Sequence, residues 1–231
     1  MEKVLIFGST PEGREAAQAL RRRGRQVVMS VTSEYARSLL PIGIICHVGK
    51  LDAEDMLAFV REVAPHRILD ATHPYAVVAS QNILHAANEL GIPYEQAHFE
   101  DVEEGWREGV EWVYTPEEMV RAVQRESCNI LLGIGNDIIR DFGLPVDMSR
   151  LFPRIAPIPQ SLADCLKLGF PPENIIAMQA PFSKALTMAL FDEKNIGAVV
   201  VRDATGSNYL HEMVIPALER GAHVIMFGKK D

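Results

Sequence analysis

A short polar segment that follows an apolar run holds the side chains best suited to chemistry. Its sequence is Asp70-Ala71-Thr72-His73-Pro74-Tyr75-Ala76, and a helix-like pattern follows it. If the segment joins a strand to a helix in an open α/β sheet, it faces the crevice where such sheets bind ligands. Thr72 offers a hydroxyl, His73 an imidazole that titrates near neutral pH, and Pro74 a rigid backbone. The alternative is an ordinary helix start, with Thr72 or His73 as the cap and Pro74 in the first helical position.

The turn after the first apolar run is a second site with functional potential. Gly8 ends the run Val4-Leu5-Ile6-Phe7, and Gly13 stands at the start of a helical pattern. A glycine turn that leads into a helix presents backbone N–H groups and the positive end of the helix dipole to a phosphate. The turn departs from the pattern G-x-G-x-x-G because only Gly8 and Gly13 remain. A capping box of Ser9 and Glu12 would compete for the same N–H groups.

The end of the second predicted strand bears on cofactor choice. Thr32 and Ser33 follow this strand, and Arg37 lies one turn into the next helix. Folds that bind NAD place an acidic residue at this strand end, whereas folds that accept NADP offer hydroxyls and arginine to the 2′-phosphate. The pattern favours NADPH, and Glu34 keeps NADH possible.

The second half of the chain adds a glycine turn and a cation. Gly133-Ile134-Gly135 ends a predicted strand and suggests a second wall of a cleft, although a tight turn has the same pattern. Arg154 stands in an extended run bounded by prolines, where a guanidinium could face a ligand carboxylate. The alternative is an ordinary exposed arginine.

Hydrophobic periodicity predicts the elements that must position these residues. Strands are predicted at 3–7, 26–31, 44–48, 67–71, from 92, and at 110–114, 129–133, 175–178, 198–201 and 223–227. Helices are predicted at 12–23, 35–40, 52–64, 75–90, 116–125, 161–168, 184–191 and 210–220. Repeated strand–helix units of this length predict parallel sheets with right-handed crossovers. An acidic stretch after Glu95 places the domain boundary, giving a nucleotide-binding domain at 1–98 and a second α/β domain at 99–231.

Composition excludes several classes of protein. The chain has 231 residues and a net charge of −8, which argues against general affinity for nucleic acids. No window approaches the roughly 18 apolar residues of a membrane span, and the N-terminus has no signal-peptide pattern. Three cysteines, Cys46, Cys128 and Cys165, lie far apart in apolar surroundings and predict reduced packing residues, not disulfides or metal ligands. We expect a soluble, cytoplasmic protein without a metal site, as a monomer or small homo-oligomer.

Taken together, these motifs resemble those of the precorrin-6A reductases, a family that includes cobalt-precorrin-6A reductases and works in cobalamin biosynthesis. The segments that carry the resemblance are, in chain order, 8–14, 31–35, 70–76, 152–154 and 179–182. The most specific of them is Asp70–Ala76. The resemblance implies two Rossmann-like domains with parallel sheets and a cleft between them that holds cofactor and tetrapyrrole. It also implies an NADPH- or NADH-dependent reductase that delivers hydride to one C=C bond of the macrocycle.

The resemblance also implies roles for particular residues. The expected catalytic residues are His73, as the candidate proton donor, and Tyr75. The alternatives are that His73 only binds a substrate carboxylate or that water delivers the proton. The expected cofactor-binding residues are Gly8, Ser9, Thr10, Arg14, Thr32, Ser33 and Thr72. The expected substrate-binding residues are Arg154, Pro181, Phe182, Arg202, Thr205, Gly206 and Ser207.

The chain departs from the family pattern at two places. Family members usually carry a Lys-x-Ser-Gly signature where this chain has Arg202–Ser207, and an Arg-Pro where it has Phe227-Gly228-Lys229. Arginine is not a neutral replacement for lysine, because its planar fork requires different partner geometry. Two alternatives therefore stay open. One is an NAD(P)-dependent oxidoreductase with another substrate, and the other is a non-catalytic nucleotide- or tetrapyrrole-binding paralogue.

Overall fold

The computed structural model of the chain describes residues 1–73, 76–97, 104–134, 146–203 and 210–228. The chain forms two compact units, Met1–Phe99 and Glu100–Asp231. Each unit is built on its own parallel sheet with helices packed against it. The predicted α/β class with two Rossmann-like halves is confirmed.

The first unit has a five-stranded sheet whose central strand comes first in the sequence. Its strands are β1 (Lys3–Phe7), β2 (Gln26–Val31), β3 (Ile45–Val48), β4 (Arg67–Asp70) and β5 (Tyr94–Gln96). Its helices are α1 (Pro11–Arg22), α2 (Glu34–Ser38), α3 (Ala53–Val63) and α4 (Val77–Glu89). The order β3-β2-β1-β4-β5 changes direction at β1, so a topological switch point lies between β1 and β4.

Alternating residues of β1 are buried on opposite faces of this sheet. Val4 and Ile6 belong to a core cluster with Ala17 of α1, whereas Leu5 and Phe7 belong to another with residues of α3 and α4. A parallel sheet covered by helices on both faces requires such continuously apolar strands. This explains why an uninterrupted apolar run predicts the strand correctly.

The second unit has a six-stranded sheet in the order β6-β11-β10-β7-β8-β9. Its strands are β6 (Val110–Val113), β7 (Asn129–Gly133), β8 (Leu151–Ile155), β9 (Ile176–Ala177), β10 (Ile196–Arg202) and β11 (His223–Phe227). Its described α-helices are α5 (Pro116–Arg125), α6 (Pro159–Lys167), α7 (Lys184–Glu193) and α8 (Ile215–Glu219). A π-helical turn, Leu210–Val214, precedes α8.

Strand β8 is the element that sequence periodicity missed. All five of its residues are buried, although Pro153 stands at its centre. The pairing of β8 with β9 begins at Arg154 and Ile176, so Pro153 lies before the point where β8 gains its second neighbour. A sheet tolerates proline where the missing N–H has no ladder partner. The extended run around Arg154 is therefore an inner strand of the sheet.

Two further features bear on the sequence-based expectations. Within the described ranges, no helix is long and apolar enough to cross a membrane, and no group of three His, Cys, Asp or Glu residues could hold a metal ion. The three cysteines are free, and burial raises the pKa of the Cys165 thiol to about 11. Cys165 is therefore a protonated packing residue at neutral pH.

Candidate functional site

The turn between β1 and α1 is fixed by Thr10. Its Oγ1 accepts a hydrogen bond from Gly13 N at 3.2 Å and donates one to Ala71 O at 3.2 Å. Thr10 is the N-cap of α1, and Pro11 occupies the first helical position, where no N–H is needed. The alternative interpretation, a capping box with Ser9 as the cap, is therefore wrong. Ser9 precedes the cap and lines the cavity described below.

Gly8 and Gly13 both allow close approach to the end of β4. Gly8 has φ +99°, and a Cβ there would lie 2.2 Å from Ala71 O. A Cβ on Gly13 would lie 2.8 Å from the Cβ of Ala71. The spacing of Gly8, Thr10 and Gly13 is that of the three glycines in G-x-G-x-x-G. Gly8 and Gly13 serve the tight turn and the helix–strand contact, and Thr10 replaces the middle glycine.

A buried carboxylate organises the segment after β4. Asp70 is 1% exposed, and its Oδ1 accepts hydrogen bonds from Thr72 N at 2.9 Å and Thr72 Oγ1 at 2.7 Å. Its Oδ2 accepts a hydrogen bond from Tyr94 Oη at 2.8 Å. The Thr72 hydroxyl also lies 2.9 Å from Ser80 Oγ of α4. Burial, and then the hydrogen bond to Asp70, raises the pKa of Tyr94, so its phenol stays a donor.

The start of α4 argues against the interpretation in which Thr72 or His73 caps a helix. Helix α4 begins at Val77 with Ala76 as its N-cap, and no side chain caps it. Thr72 and His73 are therefore not helix caps, and Thr72 serves the Asp70 network. His73 is exposed and its carbonyl accepts a hydrogen bond from Ala76 N at 2.7 Å. Tyr75 lies outside the described residues.

A cavity of about 490 Å³ opens at the carboxyl ends of β1, β2, β3 and β4. Four of the predicted cofactor-binding residues line it, and these are Gly8, Ser9, Thr32 and Thr72. The other lining residues described are Phe7, Ser30, Val31, Gly49, Lys50, Leu51, Met56, Val78, Ala79, Asn82 and Ile83. Among the described lining residues there is no aspartate or glutamate.

Other predicted cofactor-binding residues have structural contacts next to the cavity. Arg14 donates from Nη1 to the Ser9 carbonyl at 2.5 Å and so braces the turn. Ser33 caps α2 by accepting a hydrogen bond from Ala36 N at 3.1 Å. Arg37 pairs with Glu34 at 3.3 Å and its side chain is 59% exposed. Arg37 is not among the residues that line the cavity.

Sequence reasoning missed Lys50 and Asn82 of the cavity and the role of Asp70. Lys50 follows a glycine directly after the third strand, and a glycine–polar pair at a strand end was a usable signal. Asn82 carried no signal, because its position in α4 faces the cavity only once the helix is placed.

In the second unit, Arg154 lies beneath an aromatic ring. The residue is 8% exposed, and its Cζ lies 4.2 Å from the centroid of the Phe182 ring. Phe182 follows Pro181, which is exposed and whose peptide bond to Ala180 is cis. The distance between Arg154 and the ring matches a cation–π contact. Arg154 and Phe182, both predicted to bind substrate, are thus in contact, and Pro181 directly precedes Phe182 in the chain.

Arg202, like Arg154, lies near the carboxyl end of its strand, but its side chain leaves the sheet on the other face. Residues two apart on a strand share a face, so Arg154 lies on the face of Phe152 and Arg202 lies on the face of Val200. Phe152 and Val200 belong to the two core clusters on opposite faces of the sheet. Because side chains alternate along a strand, the two arginines leave the sheet on opposite faces. Thr205, Gly206 and Ser207 lie outside the described residues, as does Gly135.

Comparisons with known proteins give one family. The family model described as "Precorrin-6x reductase CbiJ/CobK" matches residues 3–231. A cobalt-precorrin-6A reductase of Priestia megaterium is 29% identical over 98% of this chain and 90% of its own length. Another from Methanococcus maripaludis is 30% identical over 99% of this chain and 91% of its own length.

A solved structure supports the fold. A "CobK precorrin-6A reductase" has a TM-score of 0.71 and 21% identity, covering 100% of this chain and 89% of its own. Both halves of the chain therefore have counterparts in one known structure. With the family model matched almost from end to end, the chain belongs to the precorrin-6x reductase CbiJ/CobK family.

Proposed function

We propose that this chain is an NADPH-dependent reductase of precorrin-6A or cobalt-precorrin-6A in cobalamin biosynthesis. The observation that carries the proposal is the cavity at the switch point of the first sheet. The glycine turn after β1 borders this cavity, and none of the described lining residues is acidic. Family membership supplies the substrate class.

The residues of the first unit fit a dinucleotide. Gly8 brings the backbone of the turn against β4, and Ser9, which lines the cavity just before the N-terminus of α1, offers polar groups to a pyrophosphate. Arg14 holds this turn through the Ser9 carbonyl. Thr32 offers a hydroxyl to the adenosine ribose, and Ser33 keeps the start of α2 beside it. The Thr10 hydroxyl is engaged by Gly13 and Ala71, so Thr10 acts by shaping the turn.

The reaction adds one hydride and one proton across a C=C bond. The bound nicotinamide supplies the hydride, and the chain has to orient it and provide the proton. Thr72 lines the cavity with its hydroxyl held by Asp70, and the exposed His73 follows it directly. We propose His73 as proton donor, because the unperturbed pKa of histidine suits proton transfer near neutral pH. Tyr75 is proposed beside it from the family motif.

Carboxylate groups of the macrocycle need cations. Arg154, stacked on Phe182 beside Pro181, is proposed to bind one carboxylate. Arg202, which leaves the sheet on the other face, is proposed to bind another, together with Thr205, Gly206 and Ser207. Two arginines that leave the carboxyl ends of the strands on opposite faces of the sheet can each reach a different carboxylate of a wide ligand.

The test is turnover of both substrates. Purified protein is mixed with NADPH and either precorrin-6A or cobalt-precorrin-6A under anaerobic conditions. NADPH consumption should match the gain of two hydrogens by the macrocycle, measured by mass spectrometry. His73→Gln should lower kcat by roughly 10² to 10⁴-fold, the usual contribution of a general acid. His85→Gln on the outer side of α4 is the matched control and should keep wild-type rates.

Two results would count against this proposal. Absence of turnover with both macrocycles, in protein that binds NADPH, would favour a non-catalytic paralogue. Turnover that His73→Gln leaves unchanged would keep the reductase and remove His73 as proton donor.

A further inference from the structure

Lys50 is a cation at the cavity to which neither the sequence motifs nor the family comparison assigned a role. We propose that Lys50 binds the 2′-phosphate of NADPH and sets the preference for NADPH over NADH. This inference rests on the proposed NADPH-dependent function and names the residue that selects the cofactor.

The backbone places Lys50 beside the end of β2. Val48 is the register partner of Val31, and Gly49 N donates a hydrogen bond to the Val31 carbonyl at 2.9 Å. Thr32 and Lys50 then follow on neighbouring strands, and both line the cavity. The end of β2 is where dinucleotide folds hold the adenosine ribose. Lys50 is therefore at the corner where a 2′-substituent would lie.

The segment that carries Lys50 is fixed on both sides. Gly49 N is held by its hydrogen bond to the Val31 carbonyl at 2.9 Å, and the ring of the nearby His47 packs on Phe59 at 4.7 Å between centroids. On the other side, Asp52 caps α3 by accepting a hydrogen bond from Asp55 N at 2.9 Å. Only two residues separate these anchors, so the position of the Lys50 backbone is defined.

The charges around the cavity favour a phosphate over a hydroxyl. A ribose 2′-hydroxyl is usually bound by a carboxylate, but the described lining residues include no carboxylate. Lys50 has no ion-pair partner within the described ranges. Arg37, the cation that the sequence pattern favoured, pairs instead with Glu34 outside the lining. A dianionic phosphate would give Lys50 a charged partner, which no described residue supplies.

Two nucleotides that differ only by the 2′-phosphate test this assignment. Calorimetry compares adenosine 2′,5′-bisphosphate with 5′-AMP on the full chain. Lys50→Met should weaken the bisphosphate by roughly ten- to a hundredfold, the loss expected for a hydrogen bond to a charged group, and leave 5′-AMP unchanged. Lys50→Arg should restore most of the affinity. In turnover assays, Lys50→Met should lower kcat/KM for NADPH and spare NADH.

Controls separate this role from general charge effects. Arg61→Met removes one exposed cation from α3 and should change neither affinity. If Arg37→Met abolishes the discrimination between the two nucleotides and Lys50→Met does not, Arg37 binds the 2′-phosphate and the proposed role of Lys50 is overturned. Equal losses for both nucleotides in Lys50→Met would also overturn it, because they indicate a general disturbance of the site.

The proposed function can fail independently of this inference. If Lys50 governs bisphosphate affinity but neither macrocycle is reduced, the nucleotide subsite stands and the reductase assignment falls. If the macrocycle is reduced equally well with NADPH and NADH in wild type and Lys50→Met, the reductase stands and the role of Lys50 falls.

Discussion

The carboxyl edges of the two sheets are built by different means. In the first unit, Gly8 and Gly13 bring backbone against Ala71, and the buried Asp70 carboxylate holds the next loop. In the second unit, the edge carries guanidinium groups, of which Arg154 is stacked on Phe182. One edge thus depends on close backbone approach, and the other on charged side chains.

Under the proposed function, the difference corresponds to two kinds of ligand. A pyrophosphate is a constant group that backbone N–H groups and a helix N-terminus can bind without long side chains. The carboxylates of a macrocycle are spread over a wide frame, and arginine reaches them individually. Changes at the first edge should therefore affect the cofactor, and changes at the second edge should affect the substrate.

Gly8→Ala should have the largest effect. The new Cβ would lie 2.2 Å from Ala71 O at a φ of +99°, so the turn must move. We expect a loss of about 2 to 5 kcal/mol in unfolding free energy from strain and overpacking. A displaced turn should also lower kcat/KM for NADPH by roughly a hundredfold. Denaturant unfolding and steady-state kinetics measure the two effects.

Gly24→Ala is the matched control for this glycine. Gly24 also has positive φ, at +74°, but a Cβ there would meet nothing within 4 Å. It should cost about 1 to 2 kcal/mol in stability and leave the kinetics unchanged. If both variants lose activity equally, the close approach to Ala71 is not what fixes the turn between β1 and α1.

Arg154→Met should change substrate affinity alone. Loss of one charge-assisted contact should raise KM for the macrocycle by roughly tenfold or more, with unchanged affinity for adenosine 2′,5′-bisphosphate. Kinetics and calorimetry provide the two readouts, and Arg121→Met on the exposed side of α5 is the control. A weaker nucleotide affinity in Arg154→Met would break the division between the two edges.

Tyr94→Phe should have the smallest effect, limited to stability. It removes the hydrogen bond to Asp70 and should cost about 1 kcal/mol at neutral pH. Because the pKa of Tyr94 is raised in the folded state, its stabilisation is complete below the usual pKa of about 10 and is lost as pH rises toward the folded pKa. Urea unfolding from pH 8 to about 11 should show a steeper decline for wild type than for Tyr94→Phe. Parallel declines would mean that Tyr94 does not titrate as the structure implies.

The sequence predicts this fold well where one local pattern decides the structure. Apolar runs locate β1, β2, β4, β7 and β10, because strands covered on both faces must be apolar throughout. β8 was missed because a proline such as Pro153 is unfavourable inside a strand. It is tolerated here because the pairing of β8 with the short strand β9 begins only at Arg154. Sheet order, which a local pattern does not contain, decided that outcome.

The site shows the same division. Gly8, Ser9, Thr32 and Thr72, which were predicted to bind the cofactor, all line the cavity. Lys50 was not predicted, because its relevance depends on β3 lying beside β2. Asp70 appeared in the motif, but its function depends on Tyr94, which a separate strand brings within 2.8 Å. Hydrophobic periodicity does not determine which residues distant in the sequence come into contact.

Ala71 has a consequence for how such sequences can diverge. Both glycines of the first turn are packed against it, one against its carbonyl and the other against its methyl group. A larger residue at 71 would push away α1, and a side chain at 13 would need a glycine at 71 to make room. We therefore expect positions 13 and 71 to vary as a linked pair, so that the double exchange Gly13→Ala with Ala71→Gly is tolerated better than Gly13→Ala alone. Position 8 should stay glycine, because its Cβ would meet the backbone of residue 71 whatever side chain stands there.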